Sequence, residues 1–310
     1  MMKCIGAIAL FFICTIQLKA QQYNEAERIE YTQYMYNAFT VNPAMTGIEG
    51  TPNFTINYRT EPIQDFNHYK RESALFSFPA REKGVAFGFS IINDEFDNIQ
   101  YTYFDLATAY KLKLSNDADF SFGLKLRGNL LDHRFPETTF QPLQNFYDGL
   151  VNRFVFNIGA GAVYSNDWFF AGVSVPSFLN TVHYDISELQ VDTRNLPIVF
   201  HTGYVFLLNN DFSFMPMFYT RFQSKENADI DISANFLFKD KFGINGVYRL
   251  GDHYGVFVNF QAFNAVLIGL GYGNQTSLRT EGAATNDGIF QITLRYENVF
   301  NRASKLFTRF

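Results

Sequence analysis

The 310-residue chain is short of several things that folded domains commonly use. It has two cysteines and one tryptophan, and only 18% of its residues are charged, where soluble domains run nearer a quarter. Cys4 and Cys14 both fall in the first twenty residues, so the chain beyond them is without disulfide, thiolate-metal or cysteine-nucleophile chemistry. No apolar run reaches the roughly 20 residues that a membrane-crossing helix needs. The histidines, His68, His133, His183, His201 and His253, are scattered, and none has the i, i+4 spacing of a metal pair. There is no Gly-x-Ser-x-Gly elbow and no phosphate-cradling glycine loop. His201 sits on a strand-like stretch, but no serine can be assigned to it as the partner a barrel hydrolase would need. The reading is non-enzymatic, with no catalytic residue, metal or cofactor. No basic cluster offers a nucleic-acid surface.

What the chain does have is phenylalanine and tyrosine, 37 and 18 of them, at a mean hydropathy of only −0.10. The two facts fit because polar and apolar residues alternate. In residues 119–131 (Asp-Phe-Ser-Phe-Gly-Leu-Lys-Leu-Arg-Gly-Asn-Leu-Leu), Phe120, Phe122, Leu124, Leu126 and Leu130 fall on one side of an extended chain. Ser121, Gly123, Lys125, Arg127 and Asn129 fall on the other. A soluble half-buried strand also alternates, but here the pattern recurs from residue 52 to residue 296 with almost no helical period between. Such repetition predicts a transmembrane outer-membrane β-barrel, apolar outside and polar within.

The longest apolar run, residues 5–16, follows Lys3 and leads to Leu18-Lys19-Ala20. It reads as a secretory signal peptide cut after Ala20. A lipoprotein reading of Cys14 is opposed by the bulky Phe12 and Ile13 before it. Losing Lys3 and Lys19, with no acid in that segment, takes the net charge from −5 to −7.

The domain organisation expected is a signal peptide over 1–20, an N-terminal periplasmic strap over 21–51, a barrel over 52–296 and a tail over 297–310. Within the strap, residues 31–47 are aromatic but fit neither strand nor helix period. Asn42-Pro43 and Thr46-Gly47 are turn signals that fold it into a hook. It is either a plug filling the periplasmic mouth or a partner-binding segment, with Tyr31, Gln33, Tyr34, Asn37, Asn42, Pro43, Gly47 and Arg59 as its candidate residues. Strands are predicted over 53–59, 73–78, 84–92, 99–114, 119–131, 154–165, 168–175, 198–208, 212–223, 228–238, 242–249, 254–263, 265–272 and 288–296, about fourteen antiparallel strands in all. The tail is a periplasmic extension or continues the last strand at Val299-Phe300.

Connections supply an independent sign. With the chain entering from the periplasm, even-numbered connections are periplasmic turns, and all are tight: 79–83, 115–118, 166–167, 209–211, 239–241 and 263–264. The long ones, 132–153, 176–197 and 273–287, all fall on the outer side, as membrane barrels require. The polar strand faces then point into the lumen, including Asn157, Gly161, Arg221, Asp229, Asp231, Ser233, Asn235 and Arg295. Lys125 and Arg127 are expected opposite Asp229 and Asp231 as lumen ion pairs. Charges of both signs favour a crosslinked or plugged lumen over a one-sign selectivity ring.

The same residues carry a resemblance. Tyr31-Thr32-Gln33-Tyr34-Met35-Tyr36-Asn37 and Asn42-Pro43-Ala44-Met45-Thr46-Gly47 are similar to the opening motif of the PorP/SprF family of type IX secretion system membrane proteins. Tyr58-Arg59, Gly88 to Asp94, Ala109 to Leu114, Ser121 to Lys125, Phe170 to Pro176, Thr202 to Phe206 and Leu294-Arg295-Tyr296 extend it over nearly the whole mature chain. The chain departs from the family pattern at Thr60-Glu61-Pro62, Phe290-Gln291 and Gly271 to Gln275, so no partner interface is carried to those positions. The resemblance implies a barrel that assists export and surface anchoring of large adhesin-type cargo, gliding adhesins included, by binding its C-terminal sorting domain. It also implies contact with periplasmic and outer-membrane components of the secretion and motility machinery. The competing classes are a general porin or small-molecule channel and a soluble periplasmic binding protein.

Overall fold

The computed structural model describes residues 34–61, 69–79, 84–96, 99–115, 117–133, 153–179, 196–224, 227–250, 253–263, 265–275, 288–297 and 305–310. The expected signal peptide, Tyr31, Gln33 and most of the three long connections lie outside the described residues. Fifteen strands follow the N-terminal segment. They are β1 (Asn53–Glu61), β2 (Tyr69–Phe78), β3 (Val85–Phe96), β4 (Ile99–Lys113), β5 (Ala118–His133), β6 (Arg153–Asn166), β7 (Phe169–Val175), β8 (Ile198–Tyr204) and β9 (Phe206–Leu207). The rest are β10 (Phe212–Ser224), β11 (Asn227–Phe238), β12 (Phe242–Arg249), β13 (His253–Phe263), β14 (Val266–Gln275) and β15 (Ile289–Glu297).

Each strand pairs antiparallel with its sequence neighbour, and β15 returns to β1 through the register Asn53↔Glu297 to Thr60↔Phe290. That last ladder closes the sheet. β8 and β9 are two parts of one barrel strand, since β10 pairs with both, so the barrel has fourteen strands. Their separation has a local cause. The β10 ladder runs Met217↔Gly203 on one side and Phe214↔Phe206 on the other, which sets Pro216 in the gap. Proline has no N–H to give the ladder. Val205, between β8 and β9, keeps its N–H on the β7 side, donating to the Trp168 carbonyl (2.8 Å).

Burial along the strands is inverted relative to a soluble protein. In β1, Asn53, Thr55, Asn57, Arg59 and Glu61 are buried, whereas Phe54, Ile56 and Tyr58 are exposed. In β5 the apolar row of Phe122, Leu124 and Leu126 is exposed, while Lys125 on the other face is 1% accessible. Aromatic and aliphatic side chains therefore coat the outside of a closed cylinder and polar ones fill it. Water does not favour that surface; hydrocarbon does. Closure matters for the same reason, because an open edge in lipid leaves N–H and C=O groups unpaired. No helix among the described residues is long and apolar enough to cross a membrane; the strands do so.

The interior is not uniformly polar, however. Phe170, Val199, Met215, Met217, Leu237 and Phe257 are inward and buried, concentrated on β7 to β11 and β13. Alternation alone assigned the inward faces to polar residues. The apolar ones are there because the lumen is filled with protein.

If the outer row faces hydrocarbon, a charge placed in it will be costly. Leu124→Arg is expected to lower barrel stability in vesicles by about 2–4 kcal/mol, and Leu124→Phe to leave it nearly unchanged. Urea titration of the heat-modifiable barrel band measures both.

Candidate functional site

Residues 34–51 run inside the barrel, in the half nearer the short even-numbered turns. A 3-10 turn (Tyr34–Asn37), one α-turn (Ala38–Val41) and a second 3-10 turn (Pro43–Met45) follow one another. Asn42 makes the bend between the last two. Its backbone is extended, its Oδ1 accepts from the Ala44 N–H (3.0 Å), and Pro43 occupies the first turn position, where no N–H is required. The Asn42 Nδ2 lies 3.3 Å from the carbonyls of Ala162 and Val173 on the wall, and 2.9 Å from His201 Nε2. With Nε2 accepting, the His201 proton belongs on Nδ1, which lies 3.1 Å from the Tyr34 hydroxyl. One fully buried asparagine thus joins the strap to β6, β7 and β8.

The carbonyls that a short helical turn leaves open are taken up by the wall. Lys125 Nζ donates to the Thr40 carbonyl (2.7 Å) and Ser174 Oγ to the Val41 carbonyl (2.9 Å). Gly47 has φ 66° and donates its N–H to Ser77 Oγ (3.0 Å); a Cβ there would meet Phe78 O and Pro79 Cα at 2.7 Å. Both the backbone conformation and the close approach demand glycine. Gly123 on β5 has the second reason alone, since a Cβ would overlap the Pro43 carbonyl carbon and the Ala44 nitrogen.

Arg295 ties down both ends of the strap. Its guanidinium lies 5.3 Å from the Tyr36 ring centroid, donates to Glu297 (2.9 Å) and reaches Glu49 (3.4 Å). Thr51 Oγ donates to the other Glu297 oxygen (3.1 Å). Burial pushes the Glu49 carboxyl above its ordinary range, and Arg295 only partly opposes that.

Nearer the long-connection end, charges pair between neighbouring strands. Arg127 forms a two-pronged bond with Asp105 (2.6 and 2.7 Å), which Ser90 also bonds, and lies over the Tyr103 ring. Arg71 pairs with Asp94 and Arg249 with Asp231. The expected pairing of Lys125 and Arg127 with Asp229 and Asp231 is corrected: Arg127 finds its acid one strand away, Asp231 does the same, and Lys125 serves the strap. In the wall β5 and β11 are separated by β6, β7, β8 and β10, so such pairs would have to span the lumen.

Of the other residues singled out from the sequence, Pro43 is buried in the strap and Asn37 closes its first turn. Arg59 is buried and pairs with Glu61 (3.6 Å). Arg221 is buried and stands in register with Asp229, which is half-buried. Sequence reasoning missed His201, Ser174, Ser77 and Glu49 as strap contacts. The signal for His201 was available, because it shares strand parity with the inward Val199 and Gly203.

The last described residues, 305–310, close the short-turn mouth. Phe307 and Phe310 are buried in one cluster with Met35, Ala38, Ala44, Met45 and Ile48 of the strap and Phe170, Val205, Met215, Met217 and Leu237 of the wall. Lys305 donates to Ser165 (2.6 Å) and pairs with Asp119 (2.8 Å); burial nevertheless holds its ammonium below the usual lysine range. The strand continuation at Val299-Phe300 lies outside the described residues.

A closed fourteen-strand barrel, apolar outside and plugged by its own chain, defines a membrane protein of the outer-membrane β-barrel class. The chain belongs to the type IX secretion system membrane protein PorP/SprF family, whose model matches residues 23–296. No curated protein matches it. In fold it is similar to the Pseudomonas putida toluene transporter TodX (TM-score 0.51, 9% identity, 85% of this chain and 94% of that one). The CymD monoaromatic hydrocarbon channel is comparable (TM-score 0.52, 9% identity, 86% and 93%). At such identities the likeness speaks for the barrel alone.

Two substitutions probe the plug. Asn42→Ala is expected to cost about 1–3 kcal/mol by orphaning buried partners, and Asn42→Asp more, since a carboxylate cannot donate to the Ala162 and Val173 carbonyls. Glu49→Gln tests the raised carboxyl. A carboxyl raised by folding stabilises below its unfolded value of 4.5 and loses that contribution as pH rises. The glutamine variant, neutral at every pH, should therefore exceed the parent at pH 7 and converge with it below about pH 4.5. Denaturant titrations across that range decide it.

Proposed function

We propose that this protein is a non-enzymatic anchor of the type IX secretion machinery. It assists export of a large adhesin-type surface protein, gliding adhesins being the example, and holds it at the cell surface through the cargo's C-terminal sorting domain. Family membership over residues 23–296 supports the system. The plugged lumen supports anchoring over conduction, and it is the observation that carries the choice. Residues 34–51 and 305–310 fill the short-turn half, where a diffusion channel needs a path. The neighbours named as hydrocarbon channels share the fold only, so they do not favour a porin here.

On this reading residues 1–20 are removed, and the short turns and residues 305–310 face the periplasm. They are the surface for the periplasmic and outer-membrane partners of the machinery. The opposite rim, where the connections 132–153, 176–197 and 273–287 begin and end, faces outward and is the first candidate for cargo contact. Tyr34, Asn37, Asn42, Pro43 and Gly47 act in this scheme as plug residues rather than as a free partner site, and Arg59 stands on the wall; Tyr31 and Gln33 lie outside the described residues. Lys125 and Arg295 hold the plug, while Arg127, Arg221, Asp229 and Asp231 belong to the charged wall of the lumen nearer the long connections.

Deleting the gene should strip particular large proteins from the cell surface while other exported proteins remain. Affinity capture from detergent-solubilised outer membrane should recover the same proteins through their C-terminal domains. An unchanged surface proteome together with steady conductance of the purified barrel in planar bilayers would instead establish the porin reading.

A further inference from the structure

Residues 305–310 are held differently from everything else in the lumen. The strands are fixed by ladder rungs along their length, and the strap by hydrogen bonds from β2, β5, β6, β7 and β15. The terminal segment has one main-chain hydrogen bond to the barrel among the described residues, from Leu306 N–H to the Asp167 carbonyl in the β6–β7 turn (2.8 Å). The rest of its hold comes from side chains. Phe307 is fully buried, with its ring 5.0 Å from that of Phe170, and Phe310 is 4% accessible. Lys305 meets Asp119 at the start of β5, and Arg309 meets Asp240 in the β11–β12 turn (2.9 Å).

The receiving surface complements this segment in both shape and charge. An apolar floor of Phe170, Val205, Met215 and Met217 takes the two rings, and carboxylates on separate strands or turns take the two cations. The strap divides its contacts in a matching way. Its polar groups, Asn42 and the Thr40 and Val41 carbonyls, bond the wall, whereas Met35, Met45 and Ile48 share the cluster that Phe307 and Phe310 complete.

We propose that residues 305–310 are a latch: a short basic-aromatic segment that docks in a pocket at the short-turn mouth, covers the apolar side of the strap, and undocks while the barrel stays folded. Release exposes the pocket and that side of the strap at the mouth. In the closed state residues 305–310 themselves occupy that surface. The inference rests on the plugged lumen and not on the cargo assignment, and no outcome below involves a cargo.

The full-length protein folded in lipid vesicles allows a direct test. Trp168, the chain's single tryptophan, follows the Asp167 whose carbonyl binds Leu306 and is exposed in the same turn, so its emission is followed as a second readout. Trypsin reaches the peptide bond after the buried Lys305 only when the segment is released. Asp167→Cys with Leu306→Cys places a disulfide across a main-chain-bonded pair, in a chain with no other cysteine after residue 20. This locked form should be cut about 10-fold more slowly than the parent, and reduction should abolish the difference. Phe307→Ala with Phe310→Ala should keep the heat-modifiable barrel band, shift Trp168 emission, and be cut about 10-fold faster. Excess synthetic Lys-Leu-Phe-Thr-Arg-Phe should reverse the emission shift.

Equal cleavage of the parent and the oxidised locked form would overturn the latch, as would a folded double-alanine variant that resists trypsin like the parent. If the double-alanine variant does not fold, the comparison of locked and parent forms decides alone.

Discussion

Turning a sheet inside out leaves it without a conventional core. When Phe, Leu and Tyr face lipid, the hydrophobic effect no longer draws them inward, and the interior must be held by bonds between polar groups. Each of those groups costs free energy if left without a partner in a space closed to water. The strap answers that constraint. It brings Asn42, the Thr40 and Val41 carbonyls and Glu49 to Lys125, Ser174, His201 and Arg295, groups that would otherwise face an empty lumen.

The lumen's two characters follow from the same logic. On β1 to β5 and β15 the inward residues are largely polar or charged, and they satisfy one another across adjacent strands, as Arg127 with Asp105 and Arg71 with Asp94. From β7 to β11 they are more apolar, and there the strap and residues 305–310 supply apolar partners. Buried ion pairs between neighbouring strands contribute less to net stability than their short distances suggest, since desolvation offsets much of the attraction. Their use is geometric: a planar guanidinium held by two oxygens fixes where each side chain stands, and with it the space left for the plug.

Much of the barrel was legible from the chain because period-two alternation is a local property. Phe120 to Leu126 reads as one face without knowledge of any neighbour, and closure follows from the cost of open edges in lipid. Turn residues placed the short connections for equally local reasons. What alternation does not carry is the stagger between strands and the path of the strap. Lys125 and Thr40 are 85 residues apart, and their meeting depends on which level of the lumen the strap crosses. The inward apolar residues were misjudged on the same ground: Met215 and Phe257 belong inside only because another part of the chain is there to meet them. Pro216 is the opposite case, a local signal whose effect, dividing one barrel strand into β8 and β9, appears only once its neighbour is in place.

A barrel sealed at one end behaves differently from a pore even when the two share a fold. A conduit needs a continuous wet path, so its lumen charges must stay hydrated and exchangeable. Here Lys125, Asp105 and Arg295 are almost wholly removed from water and tied to fixed partners, which in the proposed role makes the wall a rigid support. Rigidity is what an attachment point requires. A load applied to the long-connection end passes into a closed ladder of main-chain hydrogen bonds, braced from inside by the strap, and then into the bilayer through the aromatic exterior. With the interior filled, the surfaces left for recognition are the two rims. On the function proposed above, the sealed rim, built of short turns and residues 305–310, would meet the machinery and the opposite rim the exported protein.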